Sequence, residues 1–160
     1  MAAQNDFAKF SAGQIADLIK QADAKAVSTL YVLGISTAAL LTRINTIKAS
    51  GGATPMWGAV FAVAVLLILV ALKSVITVIY PRGGKPEKGD MTYFESIAAY
   101  KKETYIKTGM ALTDDDVAKA LYNNAYNLAK VAHNKYHALR VALALTATSI
   151  VTTILILFLA

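Results

Sequence analysis

Two histidines, His133 and His137, stand four residues apart, a spacing that places both on one face of a helix. A zinc protease motif would follow the first with glutamate, but Asn134-Lys135-Tyr136 lies between them. Lys135 would also repel a cation there, so the pair reads as a solvated or interfacial face. Asp114, Asp115 and Asp116 offer hard oxygen ligands, yet three consecutive helical positions diverge and cannot converge on one ion. After Thr113 they read better as a helix N-terminus, where a side-chain oxygen caps free N–H groups and carboxylates oppose the positive dipole end. Arg82-Gly-Gly-Lys85 lacks the spacing and the following Ser or Thr of a phosphate loop and reads as a linker. With no cysteine there is no disulfide framework, thiolate site or thiol nucleophile. We therefore expect no enzyme, no metal centre and no cofactor.

The elements that carry these residues are set by composition. Of the 160 residues 56% are hydrophobic and 16% charged, against roughly 45–50% apolar and about 25% charged in soluble domains. The chain reads as a membrane protein, and its net charge of +6 as headgroup contacts flanking spans, with no nucleic acid partner. Residues 26–42 are uncharged between Lys25 and Arg43, a short first span. Gly51-Gly52 and Pro55 then predict a tight hairpin, because proline at a helix's first turn sacrifices no hydrogen bond. A second span runs from Met56 to Tyr80 with Lys73 inside it. A lysine at the bilayer centre costs about 2.5–3.5 kcal/mol on insertion scales, so Lys73 either snorkels or is a buried functional charge. Residues 141–160 carry no charge, glycine or proline and form a third span.

The N-terminal stretch mixes Asp6, Asp17 and Asp23 with Lys9, Lys20 and Lys25, which does not suit a cleavable signal peptide. Ile15, Leu18, Ile19 and Ala22 recur at helical spacing and predict an amphipathic helix leading into the first span. Lysines and arginines number three in residues 1–25, two in 43–54 and ten in 81–140, which favours a cytoplasmic N-terminus and insert. Within the insert, Asp90 or Thr92 with Glu95 offers a helix start before Tyr93, Phe94, Ile97 and Ala98, and Gly109 closes a second helical stretch. From Asp114 nothing breaks a helix as far as residue 160. Val117, Leu121, Asn124, Leu128, Val131 and Lys135 alternate by four and three, a coiled-coil-like seam in which Asn124 and Lys135 set register. Packing of that face on its own chain is the alternative. The expected fold class is an all-α membrane protein: an amphipathic helix (1–25), a transmembrane hairpin (26–80), a small helical cytoplasmic sensor region (81–138) and a C-terminal helix forming a third span (139–160).

Three stretches resemble a known family, the transmembrane effectors of Pycsar, the bacterial pyrimidine-cyclase antiphage systems. They are Ala22-Asp23-Ala24-Lys25-Ala26 at the mouth of the first span; Tyr80-Pro81-Arg82 followed by Tyr93-Phe94 and Ile97-Ala98; and Tyr126-Asn127-Leu128-Ala129-Lys130-Val131 through Lys135-Tyr136 and Leu139-Arg140. Val27 and Glu95 depart from the glycines expected there. The resemblance implies an oligomeric effector in the bacterial inner membrane. It would answer a cyclic pyrimidine mononucleotide, cyclic CMP or cyclic UMP from a partner pyrimidine nucleotide cyclase, by impairing that membrane. For such a ligand the phosphate needs cations and the base an aromatic face. Arg82, Lys85 and Lys88 beside Tyr93 and Phe94 meet both needs, with Lys101 and Lys102 as lesser candidates. The alternative is a structural or scaffolding membrane subunit that recruits a partner through its cytoplasmic helix.

Overall fold

The computed structural model describes residues 2–52, 54–80 and 94–159. They form helices α1 (Ala2–Ala49), α2 (Pro55–Ile79), α3 (Phe94–Ala99), α4 (Lys102–Met110) and α5 (Asp114–Leu159), with no strand among the described residues. Three of these, α1, α2 and α5, are long and apolar enough to cross a membrane. At 1.5 Å per residue α2 alone measures about 37 Å, more than the ~30 Å hydrocarbon core. The amphipathic segment and the first span are one helix of 48 residues, and α5 continues unbroken for 46.

The turn after α1 is a Schellman motif. Gly51 adopts a φ of 72°, and the Gly52 and Gly51 N–H groups donate to the Ile47 and Lys48 carbonyls at 3.2 and 3.3 Å. A side chain at Gly51 would meet the steric cost of left-handed backbone. On the far side Thr54 caps α2, its hydroxyl oxygen accepting from the Trp57 N–H, and Pro55 takes the first helical position. Trp57, its ring 6.1 Å from that of Phe61, and exposed Tyr80 mark the two ends of α2, the positions interfacial aromatics favour.

The chain divides into two units, Gln21–Tyr80 with Lys135–Ala160, and Met1–Lys20 with Pro81–Asn134. The first of these is a three-helix bundle. One buried cluster joins Ala22, Ala26 and Leu33 of α1 to Ala71, Val75 and Val78 of α2 and Leu139 and Ala142 of α5; another joins Leu40, Ala64, Ile68 and Ile156. Later residues of α1 therefore meet earlier residues of α2 and later residues of α5, so α1 and α5 run in the same direction and α2 against them. The buried seam alternates by three and four on each helix: Ala22, Ala26, Thr29, Leu33, Ser36 and Leu40 on α1, and Lys135, Leu139, Ala142, Thr146, Ser149, Thr153 and Ile156 on α5. Small residues dominate it, as they do where membrane helices approach closely without a hydrophobic driving force. Four of the five buried hydroxyls bond to their own helix: Thr29, Ser36, Ser149 and Thr153 donate to carbonyls three or four residues back at 2.8 to 3.0 Å. Large apolar side chains such as Tyr31, Ile35, Leu66, Leu69, Val151 and Phe158 point outward, the arrangement a lipid environment favours.

In the other unit Ala8, Ala125 and Ala132 are buried, while α4 buries nothing. The start of α5 is a reciprocal capping box. The Thr113 hydroxyl and N–H donate to the Asp116 carboxylate at 2.6 and 3.0 Å, and the Asp116 N–H returns a bond to the Thr113 hydroxyl oxygen at 3.3 Å. The Thr113 hydroxyl bond first, then its N–H, holds the Asp116 pKa below the ordinary 3.8. Because the folded value lies below the unfolded one, this contribution is complete above the unfolded value and is lost as pH falls through the folded one. Amide protection factors at 113–117 are expected to fall on acidification below about pH 4 relative to those in the middle of α5. Asp116→Asn should remove most of that pH dependence; an unchanged acid response in this variant would show that the box is not its source.

Candidate functional site

Above the first buried cluster, Lys135 and Asp23 meet in an ion pair. They come from α5 and α1, 112 residues apart in the chain. The Lys135 side chain is only 10% exposed and that of Asp23 38%, so the ammonium is the group that depends on its partner. Helical spacing explains the encounter: Asp23 follows Ala22 on α1, Lys135 precedes Leu139 by one turn on α5, and both alanine and leucine belong to the cluster. Tyr136 packs against the same cluster. Ala22, Asp23 and Ala26 of the first stretch and Lys135, Tyr136 and Leu139, far apart in sequence, are thus brought together.

The remaining candidates fall into several environments. Arg82, Lys85, Lys88 and Tyr93 lie outside the described residues, as does the side chain of Phe94, whose backbone opens α3. Lys101 occupies the N-cap position of α4 in extended backbone conformation without a side-chain cap bond, and Lys102 follows it; both are exposed. Lys73 is exposed on α2, seven residues before Tyr80, about 10 Å along the helix. His133 and His137 are exposed, and among the described residues no group of three His, Asp or Glu is placed to hold a metal ion.

Of the seam read from the sequence, Lys135 is buried. Leu121, Asn124, Leu128 and Val131 are half-buried and Val117 is 37% exposed, while the covered positions between them are Ala125 and Ala132. Close approach selects alanine there, and the larger residues flank the contact. Tyr126 projects outward with the Lys130 ammonium 4.6 Å from its ring centroid. Asp23 is the residue that sequence reasoning left without a role. The signal for it was an acidic residue just before the first span and a lysine just before the third, both at the same membrane face.

The family described as Pycsar effector protein domain matches residues 7–160. No curated protein and no solved structure matches the chain. The match covers α1, α2 and α5, including both members of the ion pair, and describes an effector and not a cyclase. With three apolar helices of spanning length, the chain is a multi-pass membrane protein belonging to the Pycsar effector family, with a role in antiphage defence.

Proposed function

We propose that this protein is an inner-membrane effector that responds to a cyclic pyrimidine mononucleotide, cyclic CMP or cyclic UMP, by impairing membrane integrity. A pyrimidine nucleotide cyclase supplies the ligand, and the effector acts as a homo-oligomer. The family match over residues 7–160 carries this reading. Residues 81–138 form the cytoplasmic sensor region. Some sixty residues are few for a self-sufficient switching domain, which supports a ligand site completed by assembly. The ligand's phosphate is held by Arg82, Lys85 and Lys88 and its base by Tyr93 or Phe94, with exposed Lys101 and Lys102 adding positive potential. The unbroken α5 then carries the change toward its apolar half.

Titration calorimetry of the purified full chain with cyclic CMP, cyclic UMP and cyclic AMP tests the reading. Saturable binding of one pyrimidine nucleotide is expected, weakened about tenfold or more by Arg82→Ala with Lys85→Ala, since hydrogen bonds to charged groups are the strong ones. Coexpression with a pyrimidine cyclase is expected to depolarise cells. A protein that binds neither pyrimidine nucleotide would instead be the scaffolding subunit.

A further inference from the structure

Among the described residues every buried polar or charged side chain belongs to α1 or α5 of the three-helix bundle. Thr29 and Ser36 lie on α1 and Lys135, Thr146, Ser149 and Thr153 on α5, whereas the buried face of α2 is Ala64, Ile68, Ala71, Val75 and Val78. Close packing alone does not require hydroxyls, since α2 meets it with alanine. The hydroxyls also share a register. Thr29 and Thr146 border the same cleft between α1 and α5, and seven residues further along each of these parallel helices Ser36 and Thr153 share the next level, with Ser149 between. Arg43 follows seven residues after Ser36, and a seven-residue step keeps Thr29, Ser36 and Arg43 on one side of α1. The polar column thus runs from the Asp23–Lys135 ion pair to Arg43. Twenty residues of α1 separate those ends, about 30 Å, the thickness of the hydrocarbon core, and no step between polar levels exceeds about 10 Å.

Two atoms of this column lack partners. Thr146 is 4% exposed, and its Oγ1, sealed from the surface, makes no hydrogen bond, whereas its four counterparts donate to their own helices. The Arg43 Nε is sealed and unpartnered as well. Asp23 is the only acidic residue within 21–80 and 135–160, and it is taken by Lys135, so the bundle holds no carboxylate for Arg43. A closed, dry seam leaves both donors unsatisfied at a cost, and water or an anion between α1 and α5 satisfies them.

We infer that the α1–α5 seam is a permeation path for water and small inorganic anions such as chloride, lying within one protomer, closed in this structure and opened when the two helices part. This rests on the reading that the protein impairs the membrane, and it names the route. On parting, the hydroxyls that now bond to carbonyls of their own helices rotate to meet water. Charge then selects what passes. Lys135 is neutralised by Asp23 while Arg43 has no counter-charge, so the uncompensated charge along the path is positive, which admits anions and opposes potassium ions and protons. Anion efflux from a cell that is negative inside depolarises it.

Ion efflux from proteoliposomes containing the full chain provides the test. Chloride and potassium are each read by electrode, with an ionophore for the counter-ion, first without nucleotide, where a minor open state carries the flux, and then with cyclic CMP or cyclic UMP. Chloride is expected to leave about tenfold faster than potassium. Ser36→Ala with Thr153→Val should lower chloride flux about tenfold, and Arg43→Glu should invert the preference toward potassium. Thr146→Val removes an unsatisfied hydroxyl, so it should melt no lower than the parent while lowering chloride flux about threefold; a merely structural threonine would leave the flux unmoved. Outward-facing Ile35→Ala should change nothing. The hydroxyl replacements are nearly isosteric, and helix content by circular dichroism checks that they fold. The inference is overturned if the parent passes no chloride in either condition, if potassium leaves as fast as chloride, or if the hydroxyl variants leak like the parent. Chloride flux that these variants lower but no nucleotide alters keeps the path and removes the proposed ligand, whereas a nucleotide-triggered leak that they leave unchanged keeps the proposed function and removes the path.

Discussion

Asp23→Ala is expected to lower the unfolding free energy of the detergent-solubilised protein by roughly 3 kcal/mol, the low end for stripping a buried charge of its partner. The low end applies because Asp23 is itself 38% exposed and water already reaches the pair. What the substitution leaves behind decides the cost: a Lys135 ammonium only 10% exposed, above a cluster of alanine, valine and leucine. The reverse deletion behaves differently. Lys135→Met keeps much of the stem that packs on the seam and leaves a carboxylate with access to solvent, so its cost should stay below about 1 kcal/mol. Asp23→Ala combined with Lys135→Met should then be close to Lys135→Met alone, recovering most of the loss through a large coupling energy. Denaturant titration of the four proteins followed by circular dichroism measures the cycle. Small and additive effects of the two single changes would mean that the pair is solvated and contributes nothing to the bundle.

The elements were legible in the sequence where chemistry is local. Apolar runs marked the three helices long enough to cross a membrane, Gly51-Gly52 with Pro55 marked the hairpin, and Thr113 before three aspartates marked the start of α5. Legibility ended where two helices have to choose each other. A periodic face says that a side is covered but not by what, so Asp23 and Lys135 could each be placed on a helix without their meeting being foreseen. The covered face also includes residues that periodicity does not select, for a physical reason. Hydrophobic periodicity weights valine and leucine, and so selected Val117, Leu121 and Val131, whereas close helix approach is marked by small residues such as Ala125 and Ala132. In the spans the same effect makes Thr29, Ser36, Ser149 and Thr153 buried, residues that a hydropathy reading would turn outward. The ligand candidates from Arg82 to Tyr93 fall outside the described residues, so their reading still rests on charge and aromatic composition.

Ala138→Pro is expected to separate ligand binding from membrane response. The residue lies within α5 three positions after Lys135, packed against the cluster formed by Ala22, Ala26 and Leu139. Proline there removes the N–H that bonds the Asn134 carbonyl and brings its ring against that carbonyl, a local cost of about 3 kcal/mol or more. If α5 transmits the signal by moving as a continuous helix, a break just before the apolar run from Val141 uncouples its N-terminal half from its apolar half. Cyclic pyrimidine nucleotide affinity should be unchanged, while nucleotide-dependent depolarisation of cells should be lost. Ala138→Gly retains the N–H and costs only about 1 kcal/mol of helix propensity, so it should fold and lose only part of the response. The graded pair distinguishes uncoupling from misfolding: failure to fold would remove binding together with depolarisation in the proline variant, whereas uncoupling removes only the second. Variants that bind and depolarise like the parent would direct attention to α2, which joins the same buried cluster through Ala71, Val75 and Val78 and ends at Tyr80, next to the proposed ligand residues.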